Sequence, residues 1–154
     1  MSEGENPVTD PSSVRGASVE DIPVGLRTRV SKTVSESDVY LFAGITGDFD
    51  PNHTDEEYCR KTSFGHRIAH GALILGYTSA ASTNILAAFE RPMVSVGYDR
   101  VRFLKPVYFG DTITVDYEIT ELVAEKERVL SKIEVTNQRG DLVMVATHVM
   151  QLVD

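Results

Sequence analysis

The stretch GDFDPNH, residues 47–53, places two carboxylates and a histidine around one proline. Asp48 and His53 are the clearest candidates for catalysis, because a carboxylate and an imidazole held on one loop can move a proton to or from a bound molecule. Asp, Asn and Pro are also the residues that favour turns. The stretch therefore has two interpretations, an ordinary chain reversal or an acid/base pair held by Pro51.

The composition indicates one globular domain. The chain has 154 residues, of which 42% are hydrophobic and 25% charged, and this is enough to bury a single core. The net charge is −8 and the basic residues are scattered, so we expect no nucleic-acid partner. No segment approaches the roughly 20 apolar residues of a membrane span, and the first residues lack the apolar core of a signal peptide. We expect a cytoplasmic protein.

The cysteine and histidine contents argue against metal chemistry. Cys59 is the only cysteine, which excludes an intramolecular disulfide framework and a multi-thiolate metal site. The four histidines show no His-x-x-x-His pair or comparable ligand spacing. We therefore expect neither a metal nor another cofactor. His66 and His148 belong to no constellation in the sequence and are expected to be ordinary residues.

The N-terminal third of the chain shows a tail, a strand and a helix. Residues 1–18 are rich in Ser, Pro, Glu and Gly, and they predict a flexible tail before a domain that spans residues 19–154. Alternating side chains in residues 26–34 predict a strand. Ser35, followed three residues later by Asp38, predicts a capping box at the start of a helix that ends at Gly47.

The remaining two thirds predict two more helices and four strands. Thr54, followed by acidic residues, predicts the cap of a short helix. Residues 69–89 are apolar or small on every face and carry no charge from Gly71 to Phe89, so they predict a helix buried on all sides. Four alternating segments predict strands at residues 94–104, 112–122, 127–137 and 142–153. An α+β domain with a sheet curled around the buried helix fits this order, and a plain layer of helix on sheet is the alternative.

Several separated motifs resemble those of the (R)-specific enoyl-CoA hydratases, also called hydratase 2 or MaoC-like dehydratases. TGDFDPNH, FGHRIAHG and FLKPVYFGDTI occur in the family's order within residues 19–154. The resemblance implies a single hot-dog domain, in which an antiparallel sheet wraps around a long central helix. It also implies a homodimer whose thioester channel is lined by both chains.

The motif positions imply roles for individual residues. Asp48 and His53 correspond to the family's catalytic Asp and His, and Gly71 to the residue whose backbone N–H binds the thioester oxygen. Ser79 matches a polar, substrate-binding position of some members. Three residues depart from the usual pattern. Asp50 replaces the usual Asn, and Asn52 replaces an aliphatic residue. Cys59 replaces Ala or Ser and is expected to lie in the core.

The implied chemistry needs these residue types. Adding water to an α,β-unsaturated thioester requires a base for the water, a proton for the α-carbon and stabilisation of the enolate oxygen. An Asp and a neutral His can hold one water between them, and the sequence does not assign which is the base. Gly71 at a helix N-terminus offers an unpaired N–H and a positive dipole. His70 is expected to be structural, with a second acid/base group as the alternative.

The resemblance implies (R)-specific hydration of trans-2-enoyl-CoA to (R)-3-hydroxyacyl-CoA and the reverse dehydration. Acyl-carrier-protein thioesters are an open alternative to the CoA substrates. A hot-dog acyl-CoA thioesterase is a second possibility, but it would place a carboxylate on or beside the central helix, where this sequence has none. A non-catalytic acyl-thioester binding module is a third, and it would have no use for an Asp and His arranged around a water.

Overall fold

The computed structural model describes residues 11–154. These residues form four α-helices, which are α1 (Glu36–Thr46), α2 (Pro51–Thr54), α3 (Glu56–Cys59) and α4 (Gly71–Leu86). They also form five strands, which are β1 (Arg27–Thr33), β2 (Met93–Phe103), β3 (Thr112–Val123), β4 (Arg128–Thr136) and β5 (Leu142–Leu152). Short 3-10 turns lie at Pro11–Ser13, Val19–Asp21 and Ala124–Lys126. The five strands predicted from alternation are confirmed.

The strands form one antiparallel sheet in the order β1-β3-β4-β5-β2. Side chains along β3, β4 and β5 alternate between buried and partly exposed positions, and α4 packs against β1 and β3. The shared core contains Ile74 and Ile85 from the helix and residues such as Ile113, Ile133 and Met144 from the sheet. This is the hot-dog arrangement of a sheet around a central helix, as predicted.

The beginning of the described chain packs against the domain. In residues 11–18, Gly16 donates its N–H to the carbonyl of Ala88 at 3.0 Å and accepts a hydrogen bond from Glu90 N at 2.9 Å. These bonds fix the segment beside the end of α4, because backbone groups brought out of water need partners. Gly16, which lies before the predicted boundary at residue 19, is therefore held against the domain. The rest of the predicted tail, residues 1–10, lies outside the described residues.

The capping box predicted for α1 is confirmed. Ser35 Oγ accepts from Asp38 N at 3.1 Å, and Asp38 Oδ2 accepts from Ser35 N at 2.8 Å. Gly47 ends the helix with a φ of +80° and donates its N–H to the carbonyl of Ala43. A glycine is favoured there because a side chain would strain the left-handed conformation. The stretch that carries Asp48 therefore leaves α1 in a fixed direction.

The single helix predicted to start at Thr54 is wrong. The chain instead makes two successive helical turns, and Thr54 is the last residue of the first one. Pro51 presets the helical φ at the first position of α2, and Asp50 caps it by accepting from the N–H two residues on at 2.8 Å. Asp55 then caps α3. His53 consequently lies on a helical turn with a defined orientation.

α4 is buried on one side in the single chain, not on all sides as predicted. Its buried face consists of Ile74, Thr78, Ala81, Ser82 and Ile85. The opposite face is exposed and consists mostly of small residues, namely Ala72, Gly76, Ser79, Ala80 and Thr83, together with Asn84. α4 has 16 residues, and no helix in the described part of the chain is long and apolar enough to cross a membrane.

His148 is the centre of a buried polar cluster, contrary to its expected ordinary role. Its Nδ1 is hydrogen-bonded to the Tyr117 hydroxyl and its Nε2 to Ser95 Oγ, both at 2.8 Å. The ring stacks on Tyr98 with a centroid distance of 4.2 Å. Burial lowers the pKa of His148 to about 4. The charged imidazole is therefore disfavoured inside the fold.

This cluster predicts an acid-sensitive component of stability. An unfolded histidine has a pKa of about 6.5, so the contribution of His148 is fully present above that pH and is lost as the pH falls through about 4. We expect the free energy of unfolding to fall by roughly 3 kcal/mol over this range for this reason alone. Urea denaturation at several pH values should show that His148→Gln lacks this component.

The exposed His66 offers the control, since its side chain is 72% accessible. His66→Gln should keep the pH dependence attributed to His148. A His148→Gln protein with the same loss of stability between pH 6.5 and 4 as the wild type would contradict the assignment.

Candidate active site

Ile68 anchors the helical turn that carries His53. Its N–H donates to the carbonyl of Asn52 at 3.0 Å, and its carbonyl accepts from His53 Nδ1 at 2.7 Å. A carbonyl can only accept, so Nδ1 carries the proton and Nε2 keeps a lone pair. On the next residue, Ala69 N donates to the carbonyl of Val107 at 2.8 Å. The His53 ring is therefore fixed in one tautomer by a segment that is itself tied to the loop before β3.

His70 lies directly beneath the predicted pair. It is only 2% exposed, and its Nε2 donates to the backbone carbonyl of Asp48 at 2.9 Å. Its ring centroid is 3.7 Å from that of His53, and its Nε2 is 4.0 Å from Asp48 Oδ2. Ligand atoms of all three side chains lie within 4.8 Å of one another. The structure thus brings Asp48 and His53 together and adds His70, for which a structural role was expected, with a second acid/base group as the alternative.

The gap between Asp48 and His53 suits one water molecule. No direct hydrogen bond or ion pair joins these side chains within residues 11–154, yet a carboxylate oxygen of Asp48 lies within 4.8 Å of a ring nitrogen of His53. A water that donates about 2.8 Å bonds can bridge two acceptors at that separation. The Asp48 side chain is 51% exposed, so solvent reaches the gap.

The three side chains also form the group that could geometrically accept a cation. His70 Nε2, however, is a donor to the Asp48 carbonyl and has no lone pair to offer. The other nitrogen of His70, Nδ1, is buried, so one carboxylate and one imidazole nitrogen are left as accessible ligands. Structural and catalytic zinc sites use three or four protein ligands, so this donor set fits proton transfer better than metal binding.

Gly71 begins α4 beside the pair, and its N–H has no intrahelical acceptor. The end of β2 places Phe103 directly on it, since a Cβ built on Gly71 would lie 2.8 Å from the phenyl ring. Only glycine allows this approach without displacement of the ring. The N-terminus of α4 carries a partial positive charge. It is accessible from the same side as His53.

A cavity of about 340 Å³ opens beside these groups, with His53 and Gly71 in its wall. The rest of its lining is mostly apolar and includes Phe64, Ile68, Ile74, Phe103, Pro106 and Val143. The sequence motif FLKPV supplies part of this wall. Such a lining favours an apolar chain whose polar end lies at His53 and Gly71.

Ser79 is not part of this cavity. It lies two helical turns beyond Gly71, roughly 12 Å along the axis, on the exposed face of α4. Its carbonyl accepts bonds from Ser82 Oγ and Thr83 Oγ1. Within one chain, the structure does not bring Ser79 together with Asp48, His53 and Gly71.

The residues that depart from the family pattern support the loop. Cys59 is fully buried behind α2, with Sγ 3.5 Å from the carbonyl of Pro51 and 3.4 Å from that of Asn52. Burial raises the pKa of its thiol, so it acts as a packing residue, as expected. Asp50 caps α2 through one carboxylate oxygen. An amide oxygen can cap equally well, which explains how Asp replaces Asn here.

Arg67 fixes the segment that leads into α4. Its Nη1 lies 2.5 Å from Glu36 Oε1 and its Nε 3.4 Å from Glu56 Oε2, so it joins α1 to α3. The guanidinium also lies 4.7 Å from the ring centroid of Phe109. The segment that holds His53 is thus tied to both helices and to the loop before β3.

Comparison with known proteins agrees with the motifs and the geometry. A family model for the MaoC like domain matches residues 19–140. The chain belongs to the MaoC-like family. It is 42% identical over 108 residues to an (R)-specific enoyl-CoA hydratase of Rhodospirillum rubrum, covering 70% of this chain and 73% of that protein. It is 37% identical over 126 residues to a 3-hydroxybutyryl-CoA dehydratase of Methylorubrum extorquens, covering 82% and 77%.

A solved structure shows the same MaoC-like fold. The (R)-hydratase from A. caviae involved in PHA biosynthesis superposes with a TM-score of 0.78 at 28% identity. The alignment covers 86% of this chain and 98% of that one. The hot-dog assignment therefore rests on the strand order and on this likeness.

The contact between Gly71 and Phe103 predicts a stability coupling in this MaoC-like domain. Gly71→Ala should destabilise the protein, because the new methyl group would meet the phenyl ring at 2.8 Å. With Phe103→Ala the same change should be neutral or stabilising by up to about 1 kcal/mol, since Ala is the better helix former. The measurement is a double-mutant cycle on the free energy of unfolding.

Gly44 provides the matched control on α1, because an added Cβ there meets nothing within 4 Å. Gly44→Ala should have the same small effect with either residue at position 103. Equal destabilisation by Gly71→Ala in both backgrounds would show that Phe103 is not the reason for the glycine.

Proposed function

We propose that this chain hydrates trans-2-enoyl-CoA to (R)-3-hydroxyacyl-CoA and catalyses the reverse dehydration. The observation that carries the proposal is the water-sized gap between the Asp48 carboxylate and the ring of His53, whose Nδ1 is bonded to Ile68, next to the start of α4. The names of the R. rubrum and M. extorquens relatives describe the two directions of this reaction on CoA thioesters.

The thioester binds with its carbonyl oxygen at the Gly71 N–H and its acyl chain in the apolar cavity. Asp48, when ionised, and His53 Nε2 are both hydrogen-bond acceptors. A water between them therefore donates both hydrogens and turns an oxygen lone pair toward the β-carbon. Either acceptor can remove the proton.

The chemical step balances without a cofactor. One O–H bond of the water breaks as the C–O bond forms at the β-carbon, and the π electrons move onto the thioester oxygen. The helix N-terminus at Gly71 stabilises the resulting enolate. The acceptor that removed the water proton then returns it to the α-carbon, the carbonyl reforms, and both side chains end in their starting protonation states. Because water and thioester occupy fixed sides of one pocket, a single enantiomer is expected, and the similarity to an (R)-specific hydratase indicates that it is (R).

Hydrolysis of the thioester is less well supported than hydration of the double bond. α4 carries no carboxylate, and the acidic residue of this site lies instead on the loop before α2. Incubation of the wild type with crotonyl-CoA should remove the enoyl absorbance and yield (R)-3-hydroxybutyryl-CoA without release of free thiol. Thiol release without hydration would support the thioesterase, and neither reaction would support a binding module.

Single substitutions of the acid/base pair test its role. Asp48→Asn keeps the shape of the turn and removes the carboxylate, and His53→Ala removes the imidazole. Each should lower the hydration rate by at least about 100-fold, because general acid/base catalysis contributes about 10²–10⁴. Circular dichroism should show intact folds.

The double variant should lose far less than the product of the two single losses, since groups that share one water act as a unit. Asp50→Asn is the control, because an amide keeps the cap of α2, and it should change the rate less than threefold. Undiminished hydration by folded Asp48→Asn would reduce GDFDPNH to an ordinary turn.

We also propose that two copies of the chain pair through β2 and the exposed face of α4. β2 is an edge strand, with Val94 and Val96 exposed at 45% and 46%, and proteins usually cover such edges. The small residues of α4 would allow close approach. Ser79 would then lie where the two chains meet, so that its expected substrate contact could be made across the interface.

Light scattering at micromolar concentration should give the mass of a homodimer. Val96→Asp should produce a monomer with reduced activity, because a charge would be buried in the paired edge. Val24→Asp, at a valine that is 58% exposed before β1, should remain dimeric. A fully active wild-type monomer would refute the pairing.

A further inference from the structure

We infer that His70 is a positioning residue that holds Asp48, His53 and the start of α4 in one arrangement. The inference rests on the proposed hydration, because it assigns His70 a purpose within that site. His70 is the residue directly before Gly71, and its side chain contacts both members of the acid/base pair.

The hydrogen bond to the Asp48 carbonyl is the firmest support of that loop residue. Asp48 is also held by its N–H to Thr46 Oγ1 and by the Asp50 N–H to its Oδ1, but both distances are 3.3 Å. The bond from His70 Nε2 is 2.9 Å and comes from a buried side chain. The backbone position from which the carboxylate projects therefore depends on His70.

The ring of His70 also determines where the His53 ring lies. It is packed between His53, at a centroid distance of 3.7 Å, and Phe42, at 4.8 Å. The Ile68 carbonyl fixes the Nδ1 end of the His53 ring, and the stack with His70 supports one of its faces. Together these contacts direct His53 Nε2 to the gap it shares with Asp48.

The second nitrogen of His70 shows that an imidazole is present for a reason. Nδ1 is buried and has no hydrogen-bond partner in the described part of the chain. Leaving a polar atom unpaired in the interior is destabilising. Phenylalanine would keep the stacking without this cost, but it could not donate to the Asp48 carbonyl. The Nε2–H bond is the contact that only the imidazole provides.

His70 acts through other residues rather than on the substrate. Its exposure of 2% leaves almost no surface to touch a ligand. Its carbonyl accepts from the N–H groups of Leu73 and Ile74 at the start of α4, so the residue is built into the helix beginning. Loss of its side chain should therefore reduce kcat and leave KM nearly unchanged.

Two substitutions separate the contacts. His70→Phe keeps the stack and removes the donor, whereas His70→Gln places an amide N–H near the position of Nε2 and removes the ring. With crotonyl-CoA we expect His70→Phe to lower kcat by about 10–100-fold, as small misplacements at a site do. KM should stay within about twofold of the wild-type value. The kcat of His70→Gln should be at least about fivefold higher than that of His70→Phe.

His148→Phe is the matched control, since it also removes a buried, hydrogen-bonded and stacked histidine. It should lower the stability but change kcat by less than about twofold. Folded His70→Phe with a kcat within threefold of the wild type would overturn the inference. So would a rise in KM alone, or a His70→Gln protein no better than His70→Phe.

A measurement without substrate separates this inference from the proposed function. Backbone ¹⁵N relaxation should show Asp48 and Asp50 as rigid in the wild type, with an order parameter near 0.85, and as mobile in His70→Phe, with a value below about 0.6. If the wild type fails to hydrate any enoyl-CoA but the loop becomes mobile, only the proposed function fails. Unchanged order parameters in His70→Phe would overturn the positioning role whether or not the enzyme is active.

Discussion

The two hydrogen bonds between Ile68 and α2 are the constraint on which the site depends. A helix of four residues cannot be stable by itself, because helix nucleation is unfavourable and little follows it. Here α2 is held by a segment that is bonded to Val107 and carries the ion pairs of Arg67. These bonds restrict the motion of His53, although its side chain lies outside the sheet.

Local signals predicted much of the fold because they involve residues that are close in sequence. The alternation in β5 and the capping box of Ser35 are of this kind. The region after Pro51 was mispredicted because Thr54 and Asp55 are both good helix caps. Pro51 starts a helical turn that ends at Thr54, so Asp55 and not Thr54 caps the next helix. The pattern of α4 showed that its surface is apolar, but no pattern shows which faces its own chain covers.

The site was predictable where chemistry depends on a motif and unpredictable where it depends on packing. Asp48, His53 and Gly71 were singled out from short stretches; the structure brings Asp48 close to His53 and places His53 and Gly71 in one cavity wall. The stack of His70 on His53 and the contact of Phe103 with Gly71 join residues far apart in the chain. Such contacts exist only after folding, so no spacing in the sequence announces them.

The reactivity of the Cys59 thiol reports opening of the structure around the site. Cys59 is the only thiol in the chain and lies fully buried behind α2. Oxidants and alkylating reagents attack the exposed thiolate, a form that burial disfavours here. The thiol becomes reactive when α2 and α3 open locally or when the whole domain unfolds, whichever requires less free energy. Oxidative damage to this chain should therefore follow the openings that expose these two short turns.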